Sequence, residues 1–345
     1  MASPAAVLVS NGAICAHAPP SAAAFLDSTP GAYTTARGTL LWWPRHLRRL
    51  AESTALLARS HPHLLGLPLR LPRSRALDLD FLSIQSLVNP SVRVAIHEMR
   101  TRLPMTKEEH LALTALVRGA GADSISGSGD GLDVFVHVGK YAPPVFGESG
   151  ARLAVAGRGR DAATAKYAPW ARIRKSMEKM RPPGVTELLL TNDGDHILEG
   201  AVTNFFVVCQ QEERERNGQF SNQTMAAKFE VQTAPLSDGV LPGIIRQIVI
   251  EVCHDIGIPV REMSPSWSNN EIWKEAFVTS SLRLIQHVES VQVPLFWEDI
   301  QSKTWSDVPW AVKKFQGAGC ITTQIQVSSS SQDLVDLLLL NTCDS

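Results

Sequence analysis

Apolar residues recur along the chain with two periods, one typical of helices and one typical of strands. Residues 45–60 place leucines at helical spacing, which predicts an amphipathic helix. Residues 90–104 and 105–121 predict two further helices separated by a proline, with Thr106 as the N-cap of the second. Residues 131–141 alternate in character and predict a strand. The first half therefore mixes helices and strands.

The second half continues this mixture. Residues 185–208 predict a strand, a tight Asn-Asp-Gly turn and a second strand, which together form a hairpin. Residues 241–263 predict a helix opened by proline, and residues 268–274 predict a short helix that leads into a strand at 275–281. The polar residues 210–227 predict a long loop.

Proline and glycine cluster in residues 141–153, which is where a domain boundary is expected. We therefore predict a smaller N-terminal α/β domain over residues 1–145 and a larger C-terminal domain over 150–325. Residues 326–345 form a low-complexity tail with no assigned function. Mixed helices and strands in two domains indicate an α/β (α+β) fold.

Charge and hydrophobicity exclude two kinds of partner. The chain has 345 residues, with 33 Lys and Arg against 34 Asp and Glu, so its formal net charge is -1. Near-neutrality argues against nucleic acid or an anionic membrane as the main partner. No apolar run approaches the ~20 residues that a membrane-spanning helix needs.

Cysteine and histidine usage gives no sign of a disulfide framework or a metal site. The five cysteines are scattered, odd in number and form no Cys-x-x-Cys pair, which favours a reducing compartment. His61 and His63 lie two positions apart but lack a nearby third ligand, so we expect plain surface there and no metal.

The N-terminus is rich in Ala and Ser and poor in acidic residues, as transit peptides are. However, it contains no Lys or Arg before Arg37, and residues 6–12 predict a strand running into an Asn-Gly turn. Folded structure is thus expected from about residue 6. We expect a cytoplasmic protein, with organelle import left open.

Two polar residues interrupt the apolar stretch at residues 197–208. Glu199 and Asn204 stand among Ile, Leu, Val and Phe, where a charged group costs several kcal/mol unless it is paired. No Lys or Arg lies between residues 182 and 211. The partner of Glu199 must therefore come from elsewhere in the fold or from a ligand.

Five segments together resemble a known family. They occur in the order, and near the spacing, of the class IV aminotransferases, which are fold-type IV pyridoxal-phosphate enzymes, and the resemblance covers roughly residues 7–325. The family includes branched-chain aminotransferase, D-amino-acid aminotransferase and aminodeoxychorismate lyase, and the chain looks most similar to plant proteins described as D-amino-acid aminotransferase-like. The segments are GAYTTARGTLLWWPRHLRRL, AKYAPWARIRK, ELLLTNDGDHILEGAVTNFFVV, APLSDGVLPGIIR and EAFVTSSLRLIQHV.

The resemblance implies a fold, a cofactor and a catalytic residue. It implies a homodimer whose larger C-terminal domain is a pseudobarrel carrying Lys166 and Glu199, with pyridoxal 5'-phosphate between the two domains. Lys166 would form the Schiff base and shuttle the proton at the alpha carbon; taken alone, it would be a solvated lysine entering a strand. Glu199 would pair with the pyridine nitrogen, so its counter-charge is expected to be the cofactor rather than a protein cation. Asn204 would bond backbone or support the site.

The resemblance also implies a phosphate site. Arg49 matches the phosphate arginine, whereas Arg45 and Arg48 are expected on a solvated face. Gly243 and the amides of Ile244 and Ile245 open a helix, which suits an anion. Ser281 matches the family's hydroxyl position, with Ser280 as a near alternative.

The chain departs from the family pattern at two positions, and two further residues match or lie near family positions that contact substrate. Ala171 stands where many transaminases have a Tyr that bonds the ring oxygen, and Ile245 stands where they have a Thr. Tyr33 matches a position that faces substrate, and Lys140 lies near a position that presents a cation to the substrate carboxylate. Their alternatives are a core aromatic for Tyr33 and a strand-end surface residue for Lys140.

The activity implied is transfer of an amino group between an amino acid and a 2-oxo acid. Ala171 permits a second activity, elimination of pyruvate from aminodeoxychorismate, since the lyase branch also lacks that Tyr. The two departures also leave open a cofactor-binding protein with little or no catalysis.

Overall fold

The computed structural model describes residues 6–37, 40–67, 80–102, 110–120, 131–211, 228–298 and 300–329. Three predicted features lie outside these ranges, namely Thr106, residues 212–227 of the polar loop and residues 330–345 of the tail. The described residues divide into two compact units, one drawn from residues 1–143 and 164–175 and the other from 144–163 and 176–345.

The first unit is built on a five-stranded sheet in which all paired strands are antiparallel. The strand order is β2-β1-β5-β4-β3. The strands are β1 Ala6–Ser10, β2 Ala13–Ile14, β3 Ala32–Arg37, β4 His110–Gly119 and β5 Leu132–Tyr141, and the helices are α1 Ala22–Ser28, α2 Trp43–Ser60, α3 Phe81–Arg102 and α4 Trp170–Ile173. The predicted helix over 45–60 and the predicted strands from residue 6 and over 131–141 are confirmed as α2, β1 and β5.

The helix predicted over residues 105–121 is wrong for its described part, because β4 is a strand. It lies between β3 and β5 and pairs with both, and every β4 residue from His110 to Gly119 has a partner in β5. Seven of its ten residues are buried, including five in succession from Leu113 to Val117. An apolar strand buried on both faces loses the period-2 pattern that separates it from a helix.

The described residues of the second unit form nine strands and one 12-residue α-helix. The strands are β6 Ala151–Gly157, β7 Glu187–Thr191, β8 Ile197–Gly200, β9 Asn204–Gln210, β10 Phe229–Thr233, β11 Val260–Glu262, β12 Trp273–Ser280, β13 Leu284–Pro294 and β14 Trp310–Lys314, and the helix is α5 Ile244–Asp255. Residues 320–329 are also helical. Six strands pair in a closed ring, β9-β12-β13-β6-β7-β8, because β8 pairs again with β9. This ring, filled by apolar side chains such as Leu153, Leu189 and Phe205, corresponds to the expected pseudobarrel.

Most predicted elements of the second unit are present, with shifted ends. The predicted strand over 275–281 is β12, the helix over 241–263 is α5 followed by β11, and the short helix near 268–274 is the 3₁₀ turn Trp267–Ile272. The predicted hairpin over 185–208 exists as β7 and β8, but its second strand breaks at residues 201–203 before β9 begins. Within the described ranges, no helix has the length and apolar character needed to cross a membrane.

Candidate functional site

Lys166 lies in the first unit, in a segment that the sequence assigned to the C-terminal domain. Its backbone amide donates to Ser53 Oγ at 3.1 Å, and its carbonyl accepts from the amide of Tyr33 at 2.9 Å. The Nζ atom lies 4.8 Å from the centroid of the Tyr33 ring, within cation–π range. The structure thus brings Tyr33 and Lys166, two predicted site residues, into direct contact.

Arg49 lies in a buried polar cluster on α2 and β3. Its side chain is 5% exposed, and Nη2 donates to Thr34 Oγ1 at 2.9 Å. Thr34 Oγ1 in turn lies 2.8 Å from His46 Nδ1. The Thr34 hydroxyl accepts from Arg49, and the direction of its bond with His46 depends on which ring nitrogen of the histidine carries the proton. Arg48, by contrast, is exposed.

The electrostatics of this cluster favour an anionic ligand. The pKa of His46 lies well below its usual value, first because the ring is buried and then because Arg49 and Lys166 place positive charge near it. The positive charge of the cluster therefore comes from Arg49 and Lys166 and not from His46. Thr34, Ser53 and His46 were not predicted from the sequence as site residues. His46 could have been, because it is the histidine of the HLRRL segment that also contains Arg49.

Lys140 lies elsewhere in the same sheet. It is exposed near the end of β5, opposite Leu111 of β4. This position agrees with the strand-end surface alternative as well as with a substrate-facing role.

Glu199 lies on β8 in the second unit, and its counter-charge is a protein cation. Arg160 Nε and Nη2 each lie 2.9 Å from Glu199 Oε1, and the two side chains are 5% and 3% exposed. The amide of Leu241 donates to Oε2 at 3.0 Å. The expectation that only the cofactor supplies the positive charge is therefore wrong. Arg160 follows β6 and lies 39 positions before Glu199, outside the stretch 182–211 that contains no Lys or Arg.

Asn204 and Gly243 make a close contact next to the first turn of α5. Asn204 Nδ2 donates to the carbonyl of Leu241 at 2.9 Å. A Cβ atom at Gly243 would lie 2.0 Å from Asn204 Oδ1, so this position requires glycine on steric grounds. Gly243 is the N-cap of α5 and provides no capping side chain for the amides of Ile244 and Ile245. These amides form the positive end of a 12-residue helix.

Hydroxyl groups occupy the end of β12. Ser281 lies half-buried in the turn between β12 and β13, and Ser280 Oγ accepts from the amide of Arg283 at 3.2 Å. Thr279 is 2% exposed, and its Oγ1 has no hydrogen-bond partner among the described residues. Thr279 pairs with Asn204 in the register of β12 and β9. The sequence missed Thr279, the first hydroxyl of its Thr-Ser-Ser run.

The chain is similar to proteins of one family across most of its length. A sequence model of the family described as "Amino-transferase class IV" matches residues 31–291. A probable branched-chain-amino-acid aminotransferase of Rickettsia conorii is 25% identical over 118 residues, and this match spans 34% of the chain and 34% of that relative's length.

Solved structures show the same fold. A hypothetical aminotransferase from Mycobacterium tuberculosis in its PLP-bound form is 16% identical, with a TM-score of 0.60, covering 96% of this chain and 99% of that one. A candidate 4-amino-4-deoxychorismate lyase from Legionella pneumophila is 18% identical, with a TM-score of 0.55, covering 90% of this chain and 92% of that one. Because the family match covers well over half of the sequence, this chain belongs to the class IV aminotransferase family.

Proposed function

We propose that the protein is a pyridoxal-phosphate-dependent aminotransferase that moves an amino group between an amino acid and a 2-oxo acid. The observation that carries this proposal is a polar cluster on α2 and β3. Buried Arg49 and His46 meet there at Thr34 Oγ1, and the positive charge of half-buried Lys166 acts on His46. A lysine amine is the group that reacts with an aldehyde, and an arginine guanidinium binds phosphate by paired donors. A phosphorylated aldehyde carries both partners.

We propose a residue for each part of this cofactor from its chemistry and from the resemblance. Lys166 would hold the aldehyde carbon, and Glu199 would face the pyridine nitrogen. The phosphate would be held by a larger set, namely Arg49, the amides of Ile244 and Ile245 beside Gly243, and the hydroxyls of Thr279 and Ser281. The unpartnered Thr279 hydroxyl supports this assignment, because a buried hydroxyl without a partner is costly unless a ligand satisfies it.

Bound pyridoxal phosphate supplies an electron sink for negative charge at the substrate's alpha carbon. The chain's own residues perform the other steps. The Lys166 amine would take the proton from the alpha carbon of the amino-acid substrate and would supply a proton to the alpha carbon of the amino acid made from the 2-oxo acid, and the Tyr33 ring limits the positions open to Nζ. Glu199 provides the negative charge that keeps the ring nitrogen protonated. Tyr33 and Lys140 are the proposed substrate contacts.

Covalent attachment at Lys166 tests the proposal. Protein incubated with pyridoxal phosphate and reduced with borohydride should carry the cofactor mass on the peptide that contains Lys166. Lys166→Ala should lose this label, whereas Lys175→Ala should keep it, because Lys175 lies on the same segment but is exposed and paired with Asp27. Label that persists in Lys166→Ala, or protein that takes up no cofactor, would contradict the proposal.

Substrate class is tested on the loaded protein. Amino acids supplied singly, with D and L isomers side by side, should convert the bound cofactor to its pyridoxamine form, and an added 2-oxo acid should restore it. An active isomer series identifies the stereochemistry that the protein accepts.

A second function, lyase chemistry, is favoured by one observation. Ala171 lies buried in α4, where many transaminases have the Tyr that bonds the ring oxygen. Release of pyruvate from aminodeoxychorismate without an amino acceptor would favour the lyase over the aminotransferase. Labelled Lys166 with neither activity would instead favour a protein that binds the cofactor with little catalysis.

Assembly and location are further parts of the proposal. We expect a homodimer, measured as twice the chain mass by light scattering in solution. We also expect cytoplasmic residence, supported by the free cysteines Cys15, Cys209, Cys253 and Cys320. Fractionation of cells that express a tagged chain measures this location.

A further inference from the structure

Arg160 is buried against the residue that we assign to the ring nitrogen of the cofactor. We propose that Arg160 is a positioning residue that keeps Glu199 ionised and correctly oriented before any cofactor binds. This inference rests on the proposed function, because it concerns the same carboxylate. Arg160 itself would touch neither substrate nor cofactor.

The geometry fixes the guanidinium as well as the carboxylate. Arg160 directs Nε and Nη2 to the same oxygen, Glu199 Oε1, and Nη2 also donates to the carbonyl of Ala163 at 2.8 Å. A guanidinium held by a backbone carbonyl cannot swing away without losing that bond. The Leu241 amide holds the second carboxylate oxygen, Oε2. Three N–H groups of the described residues, two from Arg160 and one from Leu241, therefore orient Glu199.

Burial makes the charge of Arg160 necessary. With side chains 5% and 3% exposed, water screens neither group. A carboxylate taken out of water binds a proton unless a cation stands close to it. A protonated Glu199 would carry no charge to hold the proton on a pyridine nitrogen. Arg160 therefore maintains the charge that the proposed chemistry requires.

The pH dependence of stability in cofactor-free protein tests this role without measuring activity. In Arg160→Met, the folded protein should hold a proton on Glu199 that the unfolded chain releases at lower pH. Unfolding then releases a proton, so stability falls as the pH rises above the ordinary range of a glutamic acid. The Tm deficit of Arg160→Met relative to the parent should be larger at about pH 8 than at about pH 5, by roughly 3 °C for each tenfold gain in proton affinity.

Three controls separate charge from packing. In Arg160→Met with Glu199→Gln, the pH-dependent part of the deficit should vanish, since no carboxyl remains to titrate. Arg160→Lys keeps the charge and should show a deficit that does not change with pH. Arg158→Met removes a neighbouring exposed arginine and should melt like the parent. Infrared spectra should show a protonated carboxyl stretch in Arg160→Met that is missing from the double variant.

A deficit of Arg160→Met that is equal at both pH values, or unchanged in the double variant, overturns the role of Arg160 while leaving the labelling of Lys166 untouched. A pH-dependent deficit in a protein whose Lys166 never takes up cofactor overturns the proposed function, and the positioning role with it. If Arg160→Met yields no folded protein, recovery of folding by Glu199→Gln supports the proposal and failure to recover overturns it.

Discussion

The contact between Gly243 and Asn204 gives the sharpest test of how the second unit is built. Gly243 has φ -67° and ψ 138°, which an alanine adopts without backbone strain. Gly243→Ala therefore changes the local sterics alone. Its Cβ would lie 2.0 Å from Asn204 Oδ1, so the asparagine side chain must move.

The cost follows from what the asparagine gives up. Asn204 is 4% exposed, and its Nδ2 donates to the Leu241 carbonyl, so a displaced side chain leaves this buried donor unsatisfied, whereas the carbonyl keeps the amide of Gly243. Such a loss costs about 1–3 kcal/mol, and an off-rotamer side chain adds roughly 1 kcal/mol. We therefore expect Gly243→Ala to lower the free energy of unfolding by about 2–4 kcal/mol.

Urea unfolding of the parent and four variants measures this energy. Asn204→Ala removes the obstacle, so adding Gly243→Ala to it should cost less than about 0.5 kcal/mol, the scale of an unremarkable substitution. Gly131→Ala serves as the control, since an added Cβ there meets nothing within 4 Å. A Gly243→Ala cost that matches Gly131→Ala, or that persists in the Asn204→Ala background, would refute the steric argument.

Two other substitutions test the polar clusters. Arg49→Met removes one of the positive charges near His46, so the pKa of His46 should rise in NMR titration yet stay below its usual value, because burial is the larger cause; an unchanged pKa would contradict the assigned charges. Glu275→Gln weakens a buried carboxylate that accepts from two amides and a hydroxyl at the start of helix 320–329. It should lower the free energy of unfolding by about 1–3 kcal/mol, whereas the exposed Glu271→Gln should change it by less than about 0.5 kcal/mol; equal effects would argue against this anchor.

The spacing of apolar residues predicted those elements that have one buried face and one exposed face. Helix α2 buries Leu47, Leu50 and Leu57 on one face and exposes Arg48 on another, so the 3.6-residue period is visible in the letters. The strand β4 could not be predicted this way. Its conformation depends on pairing with β3 and β5, which are distant in sequence, and not on its own residue pattern.

The residues of the candidate site also differ in whether the sequence alone could predict them. Lys166, Arg49 and Glu199 stand in short motifs that resemble the family's, so local sequence was enough to propose them. Arg160 could not be proposed from sequence, because it pairs with a carboxylate 39 positions away. Thr279 likewise becomes a candidate only when burial shows that its hydroxyl lacks a partner among the described residues.

The closed ring of the second unit has a consequence for how the chain folds during synthesis. Two of its six strand pairings differ strongly in sequence separation: β8 pairs with β9 at Glu199 and Asn204, whereas β6 pairs in parallel with β13, which is made much later. Short-range pairings form before long-range ones, since less chain entropy is lost. We expect the pairing of β8 with β9 at Glu199 to be in place while β6 still has an open edge. An unpaired apolar strand that waits for its partner attracts other chains. The ribosome-bound protein should therefore need a chaperone until residue 294 has emerged.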